Sequence, residues 1–218
     1  MRNLLLVLVI TLCLVVSAGS GFAYQYRIDD GTAETSYMLS TGAGSTYLIM
    51  NQFTVYQNEN TITSIDVFWG GDNVQEFTVT AMLWSDPNED GDPSDKVLLS
   101  SLTGTGYTGN QMFYRYDIND TPLPTSSFFA GFALPVQTAS GQDYFPIAAD
   151  NDSTYANQSW VGTEALGLLR VSDFDMSFNL MIRANTEPGS PVPEPATLLL
   201  FGCGLTGLFF YRKKGKRR

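Results

Sequence analysis

Between residues 24 and 185 the hydrophobic positions recur every second residue, the period of a strand with one buried face. In residues 75–84, Phe77, Val79, Ala81 and Leu83 share one face, and Thr78, Thr80, Met82 and Trp84 take the other. Residues 61–69 set Ile65, Val67 and Trp69 against Ser64, Asp66 and Phe68. Residues 111–118 set Met112, Tyr114, Tyr116 and Ile118 against Phe113, Arg115 and Asp117, and residues 176–184 set Phe178, Leu180 and Ile182 against Asn179, Met181 and Arg183. Less regular runs predict further strands at 24–28, 46–56, 96–102, 127–134 and 144–148. Turn-forming clusters separate them at 29–31, 70–73, 86–95, 103–110 and 150–152. Many short strands at this spacing predict an all-β fold, an antiparallel β-sandwich, with about nine strands favouring a jelly-roll-like form. No long helical pattern intervenes, which argues against an α/β fold; one weak helix is expected near 163–169.

Both chain ends break this pattern. Arg2 precedes an apolar run over 4–16, followed by small residues up to Ala23. A positive start, an apolar stretch and a small-residue site predict a signal peptide at 1–23, with Gly21 and Ala23 at the -3 and -1 positions of the cut. The run of about 13 residues is short for a membrane span, which needs about 20. At the other end, residues 186–192 form a linker rich in Pro, Gly, Ser and Thr. There follow Val192, Pro193, Glu194 and Pro195, an apolar run over 196–211, and the basic cluster Arg212, Lys213, Lys214, Lys216, Arg217 and Arg218. The prolines keep the approach extended. The apolar run of about 16 residues is at the short end for a transmembrane helix. The basic cluster marks the cytoplasmic side and leaves the preceding domain outside.

A Pro-Glu-Pro motif, a short hydrophobic helix and a basic end, in that order over 191–218, resemble the PEP-CTERM sorting signal. The resemblance implies a biofilm-forming Gram-negative bacterium and processing by an exosortase, a membrane transpeptidase acting near the motif. Val192, Pro193, Glu194 and Pro195 would be the residues it recognises. The precursor would sit in the inner membrane and the product at the cell surface or outside the cell. A plain C-terminal anchor is the other reading of the same parts. The opening run 26–34 and the closing run 180–184 are also similar, in a generic way, to β-sandwich modules near the ends of bacterial secreted proteins.

Composition narrows the function. Without the targeting segments roughly 165 residues remain, the size of one domain. The only cysteines, Cys13 and Cys203, lie in the two targeting segments, so the domain has no disulfide framework and no thiol nucleophile. There is no histidine, which removes Ser-His and Cys-His schemes and the commonest zinc ligand. Between the ends, 21 acidic side chains stand against five basic ones, a net charge near -16. Such a surface repels phosphate backbones, so nucleic acid is not an expected partner. Glycoside hydrolysis needs only two carboxylates, but no spacing here fixes a pair, and the chain is not expected to be an enzyme.

Two kinds of candidate site remain. In the run 86–95, Asp86, Asn88 and Asp90 with Gly91 reproduce the front half of a calcium loop, where alternate oxygens converge on a hard cation and glycine permits the bend. The back half fails, because Val97 stands where a bidentate Glu belongs; Asp92 and Asp95 are the candidates to complete the set. The same residues form turns readily, and a solvated acidic loop is the simpler reading. Asp29 with Asp30, and Asp150 with Asp152, raise the same question, and a calcium site composed from distant loops stays open. Trp84 and Trp160 are the better candidates for platforms that stack on extracellular polysaccharide, although large aromatics mostly fill sandwich cores.

Overall fold

The computed structural model describes residues 23–37, 46–57, 59–135, 147–154 and 156–186. Apart from Ala23 and Thr186, the expected signal peptide, linker, sorting motif and transmembrane helix lie outside these, as do residues 144–146 of one predicted strand. No helix among the described residues is long and apolar enough to cross a membrane.

The strands in chain order are β1 (Gln25–Tyr26), β2 (Thr35–Tyr37), β3 (Thr46–Thr54), β4 (Thr61–Phe68), β5 (Glu76–Ser85), β6 (Val97–Tyr107), β7 (Phe113–Pro122), β8 (Ser127–Pro135), β9 (Ile147–Asp150), β10 (Ser159–Thr163), β11 (Gly167–Arg170), β12 (Asn179–Leu180) and β13 (Ile182–Thr186). Short 3-10 turns occupy Pro93–Asp95 and Val171–Phe174. A six-stranded sheet runs β11-β10-β3-β8-β5-β6, a four-stranded sheet β1-β13-β4-β7, and a three-stranded sheet β12-β9-β2. Every pairing is antiparallel. The described residues form an all-β sandwich of antiparallel sheets.

The period-two pattern places the core. Phe77, Val79, Ala81 and Leu83 from β5 are buried, and so are Ile65 and Val67 from β4 with Trp69 just after it. Trp69 lies edge-on to Phe77 at 5.0 Å and to Phe132 at 5.5 Å. Its Nε1 donates to the Tyr116 hydroxyl (3.4 Å), which donates to the Thr105 carbonyl (2.9 Å). The polar atoms of these buried rings are therefore satisfied inside the apolar cluster, as burial demands.

Three segments depart from expectation, each for a local reason. Residues 103–110 read as a turn, yet β6 continues to Tyr107. Gly104 and Gly106 leave room for rings: a Cβ there would stand 3.0 Å from Tyr116 and 2.5 Å from Phe77. Residues 163–169 read as a helix, yet β10 and β11 form a hairpin. The Thr163 hydroxyl accepts the Leu166 amide (3.1 Å), Leu166 is exposed, and Gly167 sits at φ +88°, a left-handed turn that no helix contains. Residues 176–184 read as one strand, yet the chain breaks at Met181 between β12 and β13. The Met181 amide donates to Ala148 (3.2 Å) and its carbonyl accepts from Phe68 (3.0 Å), so this residue carries the chain from one sheet to another. β2, three residues long, is too short to show a period in the sequence; Tyr37 at its end stacks on Phe178 at 3.9 Å.

Candidate functional site

The acidic loop follows β5 directly. Asp86 is fully buried, and its two oxygens accept the amides of Glu89 (3.1 Å) and Gly91 (2.9 Å). Asn88 accepts the Asp90 amide (3.1 Å), Asp90 the Asp92 amide (2.8 Å), and Asp92 the Ser94 amide (2.9 Å), which caps the short turn Pro93–Asp95. Each side chain thus holds an amide a few residues on, which coils the loop tightly. The coil brings carboxylate oxygens of Asp86, Asp90 and Asp95 within 4.8 Å of one another. Oδ1 of Asp95 is buried and meets no hydrogen-bond donor. Asp92 lies outside this cluster, and the Asn88 amide donates to Asp90 (3.0 Å). Of the five expected ligands, then, three aspartates converge while Asn88 and Asp92 shape the loop. Glu89 ties it down by accepting the Ser126 amide (2.8 Å), a bond that holds its carboxyl below the usual carboxylate range.

The composite arrangement is also present. Asp30, Asp150 and Asp152 bring carboxylate oxygens within 4.8 Å, although 120 residues separate the first two. Pairing of β2 with β9 brings the two segments together. Asp150 is fully buried and accepts amides from Asp30 (2.7 Å), Ser153 (2.9 Å) and Asp152 (3.3 Å). Burial pushes its carboxyl up, but hydrogen bonds from Ser153, Asp30 and Asp152 outweigh that and hold it below the usual range. Asp152 goes the other way: the Glu34 carboxylate beside it, then desolvation, Asp30 and Asp150, push it up.

Beside Glu34 opens a cleft of about 450 Å³. Residues 31–36 form one wall, and the turn Gly70, Gly71 and Asp72 with Phe68 and Gln111 forms the other. Phe68 is half-buried and meets Phe113 edge-on at 5.4 Å. Ser36, Asp72 and Gln111 present exposed polar side chains. The lining carries Glu34 and Asp72 and no basic residue, so the cleft suits hydroxyl-rich neutral ligands and opposes anionic ones. Sequence reasoning missed it, because its walls come from four separate segments.

The two tryptophans are corrected. Trp84 is 2% exposed and Trp160 5%, so neither offers a face to a sugar. The sheet face that carries them is covered as well: with Leu48, Met50 and Phe129 they form a second apolar cluster. The Arg170 guanidinium lies 4.7 Å from the Trp160 ring centre, a cation-π contact. Alternation cannot distinguish a solvated outer face from a covered one.

Residues 191–214 match the protein-sorting motif of PEP-CTERM proteins. The chain ends in a PEP-CTERM sorting motif. Val192, Pro193, Glu194 and Pro195 all fall within the match. Comparison with curated proteins finds no match. Among solved structures, the sandwich is similar to the cysteine protease and lectin-like domains of Cwp84, a surface layer associated protein of Clostridium difficile, with TM-score 0.58 and 13% identity. That match covers 75% of this chain and 36% of the other. A clostridial Cwp84 after propeptide cleavage gives TM-score 0.57 at 11% identity, over 75% of this chain and 40% of that one. At such identities the likeness is one of fold, and this chain spans well under half of either protein.

Proposed function

We propose that this chain is an exported surface or extracellular-matrix protein of a Gram-negative bacterium, processed by an exosortase, with a non-enzymatic adhesive role. The observation that carries this reading is the sorting motif at 191–214. A signal peptide at 1–23 starts export, the 196–211 helix halts the precursor in the inner membrane, and processing near Pro193, Glu194 and Pro195 frees a jelly-roll-like domain. Replacing Glu194 removes the charged centre of the recognition motif. In Glu194→Ala the membrane-bound precursor should accumulate at the expense of the processed form, read by fractionation and immunoblotting. Unchanged processing would overturn the exosortase reading.

A second reading is favoured by Asp86, Asp90 and the unpartnered Asp95 oxygen: a calcium-dependent carbohydrate-binding module. The lectin-like label of the structural neighbour supports it by analogy of fold. The cleft at Phe68 is then the sugar site, with the ring as platform and Ser36, Asp72 and Gln111 as hydrogen-bonding groups. The purified domain should bind the producing cell's own polysaccharide saturably in calcium. Calcium at a hundredfold excess over its Kd should stabilise it by about 2.7 kcal/mol, and Asp86→Ala with Asp90→Ala should abolish that shift. Phe68→Ala should weaken sugar binding by about tenfold, the scale of one stacking contact. No calcium shift and no saturable binding would leave the first reading alone.

A further inference from the structure

The cleft beside Glu34 presents charge of one sign. Glu34 stands on one wall and Asp72 on the other, both exposed, and no lysine or arginine lines it. The Arg183 guanidinium comes close behind Gly31, where a Cβ would stand 3.3 Å from it. That cation is buried and bonded to Asp29, so its charge is balanced before it reaches the cleft.

Glu34 is also held in place. Its Oε1 accepts the Thr32 hydroxyl (2.7 Å) and its Oε2 the Asn151 amide (3.2 Å). Each oxygen keeps a lone pair for a further donor. β2 starts at the next residue, and its pairing with β9 sets Glu34 beside residues 150–152. Asp30, Asp150 and Asp152 gather there. The upward push on Asp152, chiefly from Glu34, reports how negative this rim is.

Such a lining discriminates among sugars that share one ring skeleton. A uronic acid or a phosphorylated sugar brings a further negative charge to Glu34 and Asp72, which repel it. A neutral sugar offers hydroxyls only. An amino sugar brings an ammonium with three donors, and a hydrogen bond assisted by charge is about twice as strong as a neutral one. The domain's net charge near -16 also draws a chain of such sugars from a distance. A lysine side chain satisfies the carboxylates equally, but it has no ring to lie on Phe68 and no hydroxyls for Ser36 and Gln111.

We propose that the cleft takes cationic amino sugars, from a polysaccharide that carries free amines, with Glu34 and Asp72 pairing with the ammonium groups and Phe68 beneath a sugar ring. This rests on the carbohydrate reading of the cleft and adds the class of sugar to it.

Titration calorimetry in calcium on the domain Ala23–Glu187, which forms one compact unit, tests this with a glucosamine tetramer, its N-acetylated counterpart and tetralysine. The free-amine tetramer should bind about tenfold more tightly than the acetylated one, the sum of two charge-assisted contacts. Glu34→Gln and Asp72→Asn keep shape and remove charge. Each should weaken the free-amine tetramer by about two- to fivefold, the scale of one exposed ion pair, and leave the acetylated one unchanged. Asp120→Asn, the same change of net charge on β7 outside the cleft lining, should leave both unchanged. Phe68→Ala should weaken both tetramers alike. Equal affinity for the two tetramers, free-amine binding that ignores Glu34→Gln and Asp72→Asn, or tetralysine bound as tightly as the free-amine tetramer overturns this inference and leaves the carbohydrate reading standing. Binding of neither tetramer overturns both.

Discussion

Asp29→Ala should destabilise the domain by about 3–5 kcal/mol, the loss seen when one partner of a buried ion pair is removed. Asp29 is 5% exposed and Arg183 8%. The Arg183 Nε donates to both carboxylate oxygens at 3.0 and 3.1 Å, a second guanidinium nitrogen also donates to Asp29, and a third reaches Gln25 at 3.3 Å. The guanidinium carbon lies 3.8 Å from the centre of the Phe113 ring. Removing the carboxylate leaves a cation among aromatic and backbone groups with one neutral acceptor. Since 154 residues separate the partners, the pair fastens the start of the domain to its last strand. For a domain of this size the loss lowers the melting temperature by on the order of 10 °C. Replacing both partners by apolar residues, Asp29→Leu with Arg183→Met, should recover more than half, because most of the penalty is the orphaned charge. Urea unfolding of the three proteins reads this. A single-variant loss below about 1 kcal/mol would mean that water already reaches the guanidinium.

How much of this was legible depended on how far each signal is local. The buried faces of β4 and β5 could be read because every second residue reports burial against one core. Asp29 and Arg183 lie within the opening run 26–34 and the closing run 180–184, but nothing in a single sequence pairs them across the whole domain. The same limit held at the sites. The coiled loop around Asp86 is local, and its aspartates were found. Its hydrogen bonds then divided them into Asp86, Asp90 and Asp95, which converge, and Asp92, which caps a turn. The convergence of Asp30 with Asp150 depends on β2, which is too short to see, so it stood only as an open possibility. Trp84 and Trp160 failed because period two reports alternation and not what covers the second face.

Asn51→Leu should lose about 2–6 kcal/mol, because it orphans two buried carbonyls at about 1–3 kcal/mol each. Asn51 lies within β3, fully buried, where a strand pattern asks for an apolar residue. Its Nδ2 donates to the carbonyls of Leu180 (2.8 Å) and Ile182 (3.0 Å), and its Oδ1 accepts the Ser159 hydroxyl (2.8 Å). The Ser159 oxygen in turn accepts the Leu180 amide (2.9 Å). These carbonyls flank Met181, where the chain leaves one sheet for another and ladder partners run out. A side chain with two donors and one acceptor closes that gap; leucine, of similar volume, has neither. Asn51→Asp separates this account from a packing defect. It sets a carboxylate against two carbonyls, which raises the pKa of the new side chain in the fold above its unfolded value. Its stability should therefore be greatest at low pH and fall as pH rises through the folded pKa, while the leucine variant keeps the pH profile of wild type. Parallel profiles for the two variants, measured by urea unfolding across pH, would show that the carbonyls are satisfied without Asn51.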